Sequence, residues 1–258
     1  MIQNDVYLEP IEHKYFNRHT GEQLTSVSKV LDSLEEKFDV EGISKTCAGR
    51  GKYKGMTQQM VKDAWKFTRK KATDHGTRIH EALERYTKEF LILEQDRELE
   101  SMIKNVCKDY IAYKRTYDEC CLYYPEYKIA GTADKILVTK SRAGIVDIED
   151  YKTNISKGIY YSNDDNKYMK GPANHLQQCN FTRYALQLSI YGVMWEKLTG
   201  NKIGSMWIRF IAPVTFIDTK IMVPYMRDTA IEILKWYSAP FSEMKVIDDN
   251  LNEIPNFD

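Results

Sequence analysis

The sequence predicts an α/β protein in which helices flank a mixed β-sheet. Apolar residues recur at helical spacing over residues 76–90 and 176–198, and the period falls to two between Cys121 and Thr153. Strand-like segments follow at 203–211 and 216–223. Helices that alternate with groups of strands in this order are typical of a layered α/β core.

Local signals define the ends of these elements. The first helix has Thr73 or Asp74 available as its cap, and the second is followed by Gly200 as a stop. Between Cys121 and Thr153 we expect three consecutive strands, with residues 140–143 as a hairpin turn. A last helix is predicted over residues 226–237.

Composition fits an ordinary globular protein. The chain has 258 residues, of which 43% are hydrophobic and 29% charged, so it can bury a sizeable core. It opens without a signal-like segment and contains no run of about 18 apolar residues, so we expect a cytoplasmic protein without a membrane span. Its five cysteines lack Cys-x-x-Cys spacing, which favours free thiols over disulfides or a zinc site.

Charge is unevenly distributed although the formal net charge is zero. A balanced chain argues at first against a nucleic-acid partner, because phosphate contacts require Lys and Arg. From Lys45 to Lys71, however, nine basic residues accompany the single acid Asp63. This basic segment predicts a phosphate-binding surface, on which Tyr53, Trp65 and Phe67 could stack on unpaired bases. A solvated helix face is the alternative interpretation.

The strongest chemical signal lies in the segment Gly144–Lys152. Alternation places two apolar residues, a carboxylate and an ammonium on one face of a strand: Val146, Ile148, Asp150 and Lys152. Such charges should not face a core unless they are paired or bind a metal. Asp147 and Glu149 are expected on the opposite, solvated face. An Asp–Lys pair that only closes a strand end is the alternative for Asp150 and Lys152.

The preceding strand repeats this pattern, with one acid on a mostly apolar face: Ala130, Thr132, Asp134, Ile136 and Val138. If the two strands form a hairpin, Asp134 and Asp150 can approach one ion. Carboxylate oxygens suit Mg²⁺ or Mn²⁺, which can share coordination with a substrate phosphate. Lys152 could hold or help deprotonate a metal-bound water and stabilise charge on the phosphate. Together these residues predict phosphodiester hydrolysis.

The motifs resemble those of the PD-(D/E)XK nuclease superfamily, in its RecB-like exonuclease branch. Gly131-Thr132-Ala133-Asp134 and Asp150-Tyr151-Lys152-Thr153 resemble the GxxD and D-x-K-T core of that branch, which includes phage exonucleases and the mitochondrial genome maintenance exonuclease. Three further segments are similar: Gly76 to Ala82 around the branch histidine, Gln187 to Tyr191 for its Q-L-x-x-Y motif, and Thr25 to Leu31 for its entry segment.

This resemblance implies a single nuclease domain over residues 1–258, with a strand and helical elaboration at 1–75, a core at 76–240 and an acidic tail at 241–258. It implies that Asp134, Asp150 and Lys152 are catalytic. The resemblance implies that the metal is bound by His80, Asp134 and Asp150. The backbone carbonyl of Tyr151 and the side chain of Glu126 are additional candidate ligands. The implied substrate-binding residues are Gln187, Tyr191, Arg78, Lys66, Arg69 and Lys70.

For some of these residues, a role in packing is the alternative to a role in the site. His80 lies about 60° around its helix from Leu83, at the border of the apolar face, where a histidine is often only a packing residue. Gln187 and Tyr191 are one turn apart and share a helix surface, from which they could contact phosphate, a base or the lysine. Core packing remains open for Tyr191.

The resemblance further implies a DNA exonuclease that uses one or two Mg²⁺ or Mn²⁺ ions, acts in recombination, repair or end processing, and is encoded by a phage that would place it in the host cytoplasm. The expected partner is DNA, single-stranded or with a free end, together with an unidentified recombination or replication protein. Some members of this branch carry an iron–sulfur cluster that needs three cysteines after the Q-L-x-x-Y helix. No cysteine follows Cys179 here, so no cluster is expected. A structure-specific endonuclease and an inactive nucleic-acid-binding module remain as alternatives.

Overall fold

The fold is a mixed β-sheet covered by helices, as predicted for an α/β protein. The structure, a computed structural model, describes residues 5–153, 158–161 and 167–239. The predicted acidic tail therefore lies outside the described residues. Within them, eight strands form one sheet with six α-helices around it. None of the helices described is long and apolar enough to cross a bilayer.

The sheet has an N-terminal meander and a central part. The meander consists of β1 (Val6–Glu9), β2 (Lys14–Asn17) and β3 (Gln23–Ser26), which pair antiparallel. Thr25 and Ser26 then pair in parallel with the start of β5, which attaches the meander to the rest of the sheet. The segment that resembles a family entry motif therefore begins at the strand that joins the two parts.

The central part contains the remaining strands: β4 (Arg115–Tyr124), β5 (Ile129–Val138), β6 (Ile145–Lys152), β7 (Lys202–Ile211) and β8 (Asp218–Val223). Strand β5 pairs antiparallel with β4 and with β6. Strand β7 pairs parallel with β6 and antiparallel with β8. The predicted strands are thus confirmed, although the first begins six residues earlier than the Cys121 limit.

The helices are α1 (Val27–Ser33), α2 (Val40–Cys47), α3 (Gln58–Glu89), α4 (Glu100–Tyr110), α5 (Asn180–Thr199) and α6 (Arg227–Ser238). Gly200, at φ 72°, ends α5 as predicted. The predicted cap at Thr73 or Asp74 is wrong. Helix α3 runs unbroken through this region from Gln58, where the Thr57 side chain accepts a hydrogen bond from the Met60 amide. The residues next to Gly76 are weak helix formers, so burial of Ile79, Ala82 and Leu83 against the sheet stabilises the helix here instead.

Helices cover both faces of the central strands. Helices α1, α5 and α6 pack on one face around Ile136, Val146 and Ile148. The second half of α3 and helix α4 pack on the other face, around Leu137 and Tyr151. Because both faces are covered, the expectation that Asp147 and Glu149 are solvated is wrong: they are 6% and 0% exposed.

These two buried acids are fully hydrogen-bonded. Glu149 accepts hydrogen bonds from the Tyr110 hydroxyl at 2.6 Å and from Arg209 Nε at 2.6 Å, and it forms an ion pair with Lys220 at 3.1 Å. Asp147 accepts from the Tyr113 hydroxyl and from a backbone amide of β7. Buried charge is tolerated here because each carboxylate has partners that replace water.

Arg209→Met is expected to lower the free energy of unfolding by about 3–5 kcal/mol, because it removes the main partner of a fully buried carboxylate. Urea unfolding followed by circular dichroism would measure this loss. The matched control is Arg97→Met, which breaks an exposed ion pair with Glu94 and should cause a much smaller loss. Equal losses in the two variants would contradict a structural role for the buried network.

Candidate metal centre and cleft

Three carboxylates meet across three neighbouring strands. Lys135 of β5 pairs with Glu149 of β6, so the next positions in this register, Asp134 and Asp150, oppose each other where the regular pairing of the two strands ends. Glu119 of β4 occupies the matching position on the other side of Asp134. Asp134 therefore lies between two acids. Like charges placed directly opposite each other destabilise a sheet unless something compensates them.

The backbone of Glu119 has a left-handed conformation, with φ 46°. This region is rarely adopted by a residue with a side chain, least of all within a strand, and costs free energy that the surrounding structure must supply. Such strain is concentrated at functional sites in proteins. Its place opposite Asp134 indicates that this part of β4 is shaped for the position of the Glu119 carboxylate.

The regular alternation of side chains also fails here. On β4, Tyr117 and Cys120 pack against the same apolar cluster although they are three residues apart, and on β5 so do Ala133 and Ile136. The expectation that Ala130 shares a face with Ile136 is therefore wrong, because Ala130 packs in a different cluster, against the N-terminal meander. Sequence reasoning missed Glu119 for this reason, since a period of two cannot be followed through an irregular segment.

His80 joins the acids from helix α3. Its Nδ1 lies 3.6 Å from Asp134 Oδ1, and one ligand atom each of His80, Glu119 and Asp134 lie within 4.8 Å of one another. Gly76, one turn earlier, allows the close approach of α3 to the sheet: a Cβ there would lie 3.0 Å from Thr153 Oγ1. The structure thus places His80 beside Asp134, one of the two predicted aspartates.

The main chain of Tyr151 orients one of the acids. Its amide donates a hydrogen bond of 2.7 Å to Asp134 Oδ2, which leaves Oδ1 directed toward His80. The Tyr151 ring packs edge-on against the His80 ring at 5.4 Å. Its hydroxyl lies 2.7 Å from the Tyr110 hydroxyl, which links the centre to the buried Glu149 network. A ligand role for the Tyr151 carbonyl remains a prediction.

Burial and mutual repulsion change the acidity of this centre. Burial, followed by the charge of Asp134, raises the pKa of Glu119 to about 8. Burial also raises the pKa of Asp150 to about 6, although Lys152 opposes this change. Metal-free, the centre therefore retains protons near neutral pH. A divalent cation would compensate the same repulsion, and two carboxylates with an imidazole form a donor set that suits Mn²⁺ or Mg²⁺.

Lys152 forms an ion pair with Asp150, and its Nζ lies 4.8 Å from the centre of the Tyr184 ring. Burial alone would lower the pKa of Lys152, but Asp150 and Asp134 outweigh it and the pKa lies above its ordinary value. Lys152 is therefore an ammonium at neutral pH. As an ammonium it can stabilise negative charge on a phosphate. It cannot accept a proton, so it does not act as the base that deprotonates a water.

A cleft of about 1440 Å³ opens onto these groups. Its walls come from the turn between β1 and β2, from α1, from the second half of α3 and from the start of α5. Glu119 lines it together with five of the predicted residues: His80, Tyr151, Lys152, Arg69 and Gln187. The cleft thus brings two candidate metal ligands, His80 and Glu119, together with an ammonium and a guanidinium, which is a suitable chemistry for a phosphate. Asp134 and Asp150 are buried and do not line it.

Glu126 is not part of this centre. It lies in the turn between β4 and β5, where it forms an ion pair with Lys197, and its side chain is 49% exposed. From Ile129 to Asp134 the strand alone spans about 16 Å, so the Glu126 carboxylate is far from the aspartates. The structure corrects this candidate ligand, and Glu119 takes the place that was proposed for it.

Arg78 is committed to another part of the fold. Its guanidinium pairs with the buried Asp96 at 3.0 Å and with Glu98 at 2.7 Å. These contacts fasten α3 to the segment before α4. Since its charge is already neutralised by two carboxylates, the substrate-binding role predicted for Arg78 is not supported.

The two residues of the Q-L-x-x-Y segment have different surroundings. Gln187 lines the cleft, and its Nε2 donates a hydrogen bond of 3.0 Å to the Tyr191 hydroxyl. Tyr191 itself is 3% exposed and packs so closely on Gly131 that a Cβ there would lie 2.6 Å from its ring. The structure therefore favours the packing alternative for Tyr191, whereas Gln187 remains a candidate for substrate contact.

Comparison with known proteins gives little further information. No protein-family model and no curated protein matches the chain. Among solved structures, a candidate exonuclease from Eubacterium rectale has 14% identity and a TM-score of 0.39, with 71% of this chain and 69% of that chain covered. The protein SSO0001 has 14% identity and a TM-score of 0.26, with coverage of 69% and 73%. Similarity this low assigns no family and carries no argument about function.

Proposed function

We propose that this protein is a metal-dependent nuclease that hydrolyses phosphodiester bonds in DNA. The observation that carries the proposal is the position of Asp134 between Glu119 and Asp150, with His80 beside Asp134 and Lys152 beside Asp150. Of these residues, Glu119, His80 and Lys152 line the cleft, and the two aspartates are buried next to them. Among the described residues, Asp134 and Asp150 form ion pairs with His80 and Lys152 respectively, and Glu119 forms none, so the three acids are not fully compensated. A bound divalent cation is the simplest compensation.

The residues divide the chemistry among them. Asp134, Asp150, Glu119 and His80 would hold Mg²⁺ or Mn²⁺, with Asp134 oriented by the Tyr151 amide. When bound, such an ion polarises a phosphoryl oxygen and increases the acidity of a coordinated water. The Lys152 ammonium, which lines the cleft, would stabilise the negative charge that develops on the phosphate in the transition state. Gln187 and Arg69 orient the strand from the cleft wall.

We further propose that the enzyme is an exonuclease, which needs an end of the strand. This rests on the family resemblance of the motifs and on the shape of the cleft, whose walls come from four separate parts of the fold. Arg69 stands on the wall formed by α3. A role in recombination, repair or end processing, and an origin in a phage, follow from the resemblance alone.

Lys152→Ala is expected to lower the turnover number for DNA cleavage by roughly 10²–10³-fold or more and to retain Mn²⁺ binding, because the ammonium acts on the phosphate. Asp150→Asn should lose cleavage and also weaken Mn²⁺ binding, since it removes a ligand charge. End-labelled DNA and calorimetric titration with Mn²⁺ would separate the two effects. Lys140→Ala, at an exposed lysine of the turn after β5, is the control. Full activity in either site variant would refute the assignment.

Glu119→Gln is expected to change how stability depends on pH in the metal-free protein. The pKa of Glu119 is about 8 in the folded chain and about 4.5 ordinarily, so its contribution to stability is present below pH 4.5 and is lost as pH rises through 8. Relative to the wild type, the variant should therefore gain about 1 kcal/mol or more in free energy of unfolding between pH 5 and pH 8.

Urea unfolding in EDTA at these two pH values would measure the gain. Glu81→Gln, an exposed acid in the same cleft, is the matched control and should follow the wild type. Added Mn²⁺ should stabilise the wild type at pH 8 more than Glu119→Gln. Parallel pH profiles for all three proteins would show that the pKa of Glu119 is not raised in the folded protein.

Linear single-stranded DNA should be degraded in Mg²⁺ or Mn²⁺, whereas a covalently closed circle of the same sequence should survive, because a strand must enter the cleft by its end. Gel electrophoresis of both substrates under identical conditions provides the measurement. The control is the same circle opened by one restriction cut at a site made double-stranded with an annealed oligonucleotide, which is then removed; this DNA should become sensitive. Rapid loss of the closed circle would replace the exonuclease proposal with an endonuclease.

A further inference from the structure

A second cavity, of about 750 Å³, lies outside the cleft and has no role in the proposed function. It is formed by α2, by the short segment around Tyr53 and by the first half of α3. Three aromatic residues contribute to its lining: Phe38, Tyr53 and Trp65. Basic side chains surround them, among which Lys66 and Arg69 belong to α3.

The aromatic residues hold the Trp65 ring in a fixed orientation. Its Nε1 donates a hydrogen bond of 2.6 Å to the Tyr53 hydroxyl. The rings of Phe38 and Tyr53 meet it edge-on, at 5.6 Å and 6.2 Å between centroids. Phe38 is 48% exposed, so this aromatic group is accessible from solvent. With the polar atom of Trp65 already satisfied, what its ring offers a ligand is a flat apolar surface.

The charges beside the rings are available to a ligand. Lys62 is neutralised by Glu41 at 3.0 Å. Lys66 and Arg69, by contrast, form no ion pair within the described part of the chain. Arg69 is one helical turn from Trp65 and so lies on the same side of α3. A fixed aromatic face next to uncompensated cations is the combination by which proteins hold unpaired bases and their phosphates.

The two cavities adjoin each other along α3. Arg69 and Ala72 line both of them. From Trp65 to His80 the helix advances 15 residues, or about 22 Å. A strand that occupies the second cavity therefore passes Arg69 before it reaches the acids. This distance lies within the footprint of proteins that bind a few unpaired nucleotides.

We propose that the second cavity binds an unpaired base of a nucleic-acid strand, stacked on Trp65, with the neighbouring phosphate on Lys66 and Arg69. The inference rests on the proposed function, because it makes the cavity the upstream part of the same strand-binding path. It identifies the substrate at this point as single-stranded. It also assigns the predicted stacking role to Trp65 and removes it from Phe67, which is 71% exposed and lines neither cavity.

The test measures binding without cleavage. The 258-residue protein is titrated in EDTA against a fluorescein-labelled oligothymidylate of about 20 nucleotides, which is long enough for a typical single-strand binding site. Fluorescence anisotropy gives the dissociation constant. Trp65→Ala should weaken binding roughly 5- to 150-fold, the equivalent of removing one base stack. Trp65→Phe should retain most of the affinity. Phe67→Ala, at an exposed aromatic on the same helix, is the matched control and should bind like the wild type.

Charge is tested in the same assay. Lys66→Glu should lower the slope of log affinity against log salt by about 0.7 for each phosphate that the variant no longer binds, whereas Lys71→Glu, which lines neither cavity, should not. If Trp65→Ala does not fold, as judged by circular dichroism, Phe38→Ala replaces it, because Phe38 is half exposed. Wild-type affinity in the folded aromatic variants, or an equal loss in Phe67→Ala, would overturn the proposal.

The outcome is separable from that of the proposed function. Trp65-dependent binding by a protein that cleaves no DNA would support the cavity and refute the nuclease. Cleavage with unchanged KM and affinity in Trp65→Ala would refute the cavity and support the nuclease. A blunt duplex of 20 base pairs serves as a second ligand, and its affinity should be insensitive to Trp65→Ala, since a paired base cannot stack on the ring.

Discussion

Glu119, Asp134 and Asp150 lie side by side on three neighbouring strands, where their charges repel one another. Several features of the fold follow from this repulsion. The regular pairing of β5 with β6 ends next to the aspartates, and the backbone of Glu119 is left-handed. Lys152 and His80 approach from β6 and α3, but neither neutralises all three acids. A bound divalent cation would offset the free energy that burial and repulsion cost without metal, and this would couple metal affinity to the stability of the fold.

The opposite face of β6 carries Glu149, a buried acid with a structural role. Glu149 is more deeply buried than Glu119, but a tyrosine hydroxyl, Arg209 and Lys220 supply its hydrogen bonds and its opposite charge. Asp150, its neighbour in sequence, has Lys152 as its only ion-pair partner among the described residues. Burial alone therefore does not distinguish functional from structural acids. The balance of charge around each carboxylate does, and it changes between consecutive residues because alternation directs them to different faces.

The alternation of side chains in the sequence predicted those residues of the centre that lie in regularly paired strands. Asp150 and Lys152 belong to a regular strand, and the register of the hairpin brings Asp134 opposite Asp150, so both relationships can be derived from a period of two. Glu119 could not be derived in this way, because the alternation fails around it. The solvated face expected for Glu149 was wrong for another reason: sequence gives the period of a strand, but not which helices cover its second face. The fold class survived both errors because it depends on the order of elements alone.

Helix α3 connects the chemistry to the substrate through its uneven charge. It spans about 48 Å, and its first half carries Lys66 and Arg69 while its second half presents Glu81 and Glu84 to the cleft. A polyanion is therefore attracted to the first half of the helix. Glu81 and Glu84 repel it locally, although Arg78, Arg85 and Lys88 leave the second half nearly neutral, so the net charge of zero conceals an uneven field. Metal bound near His80 would reverse the sign of that repulsion. A bound cation would therefore favour the approach of a strand from the first half of α3 to the acids.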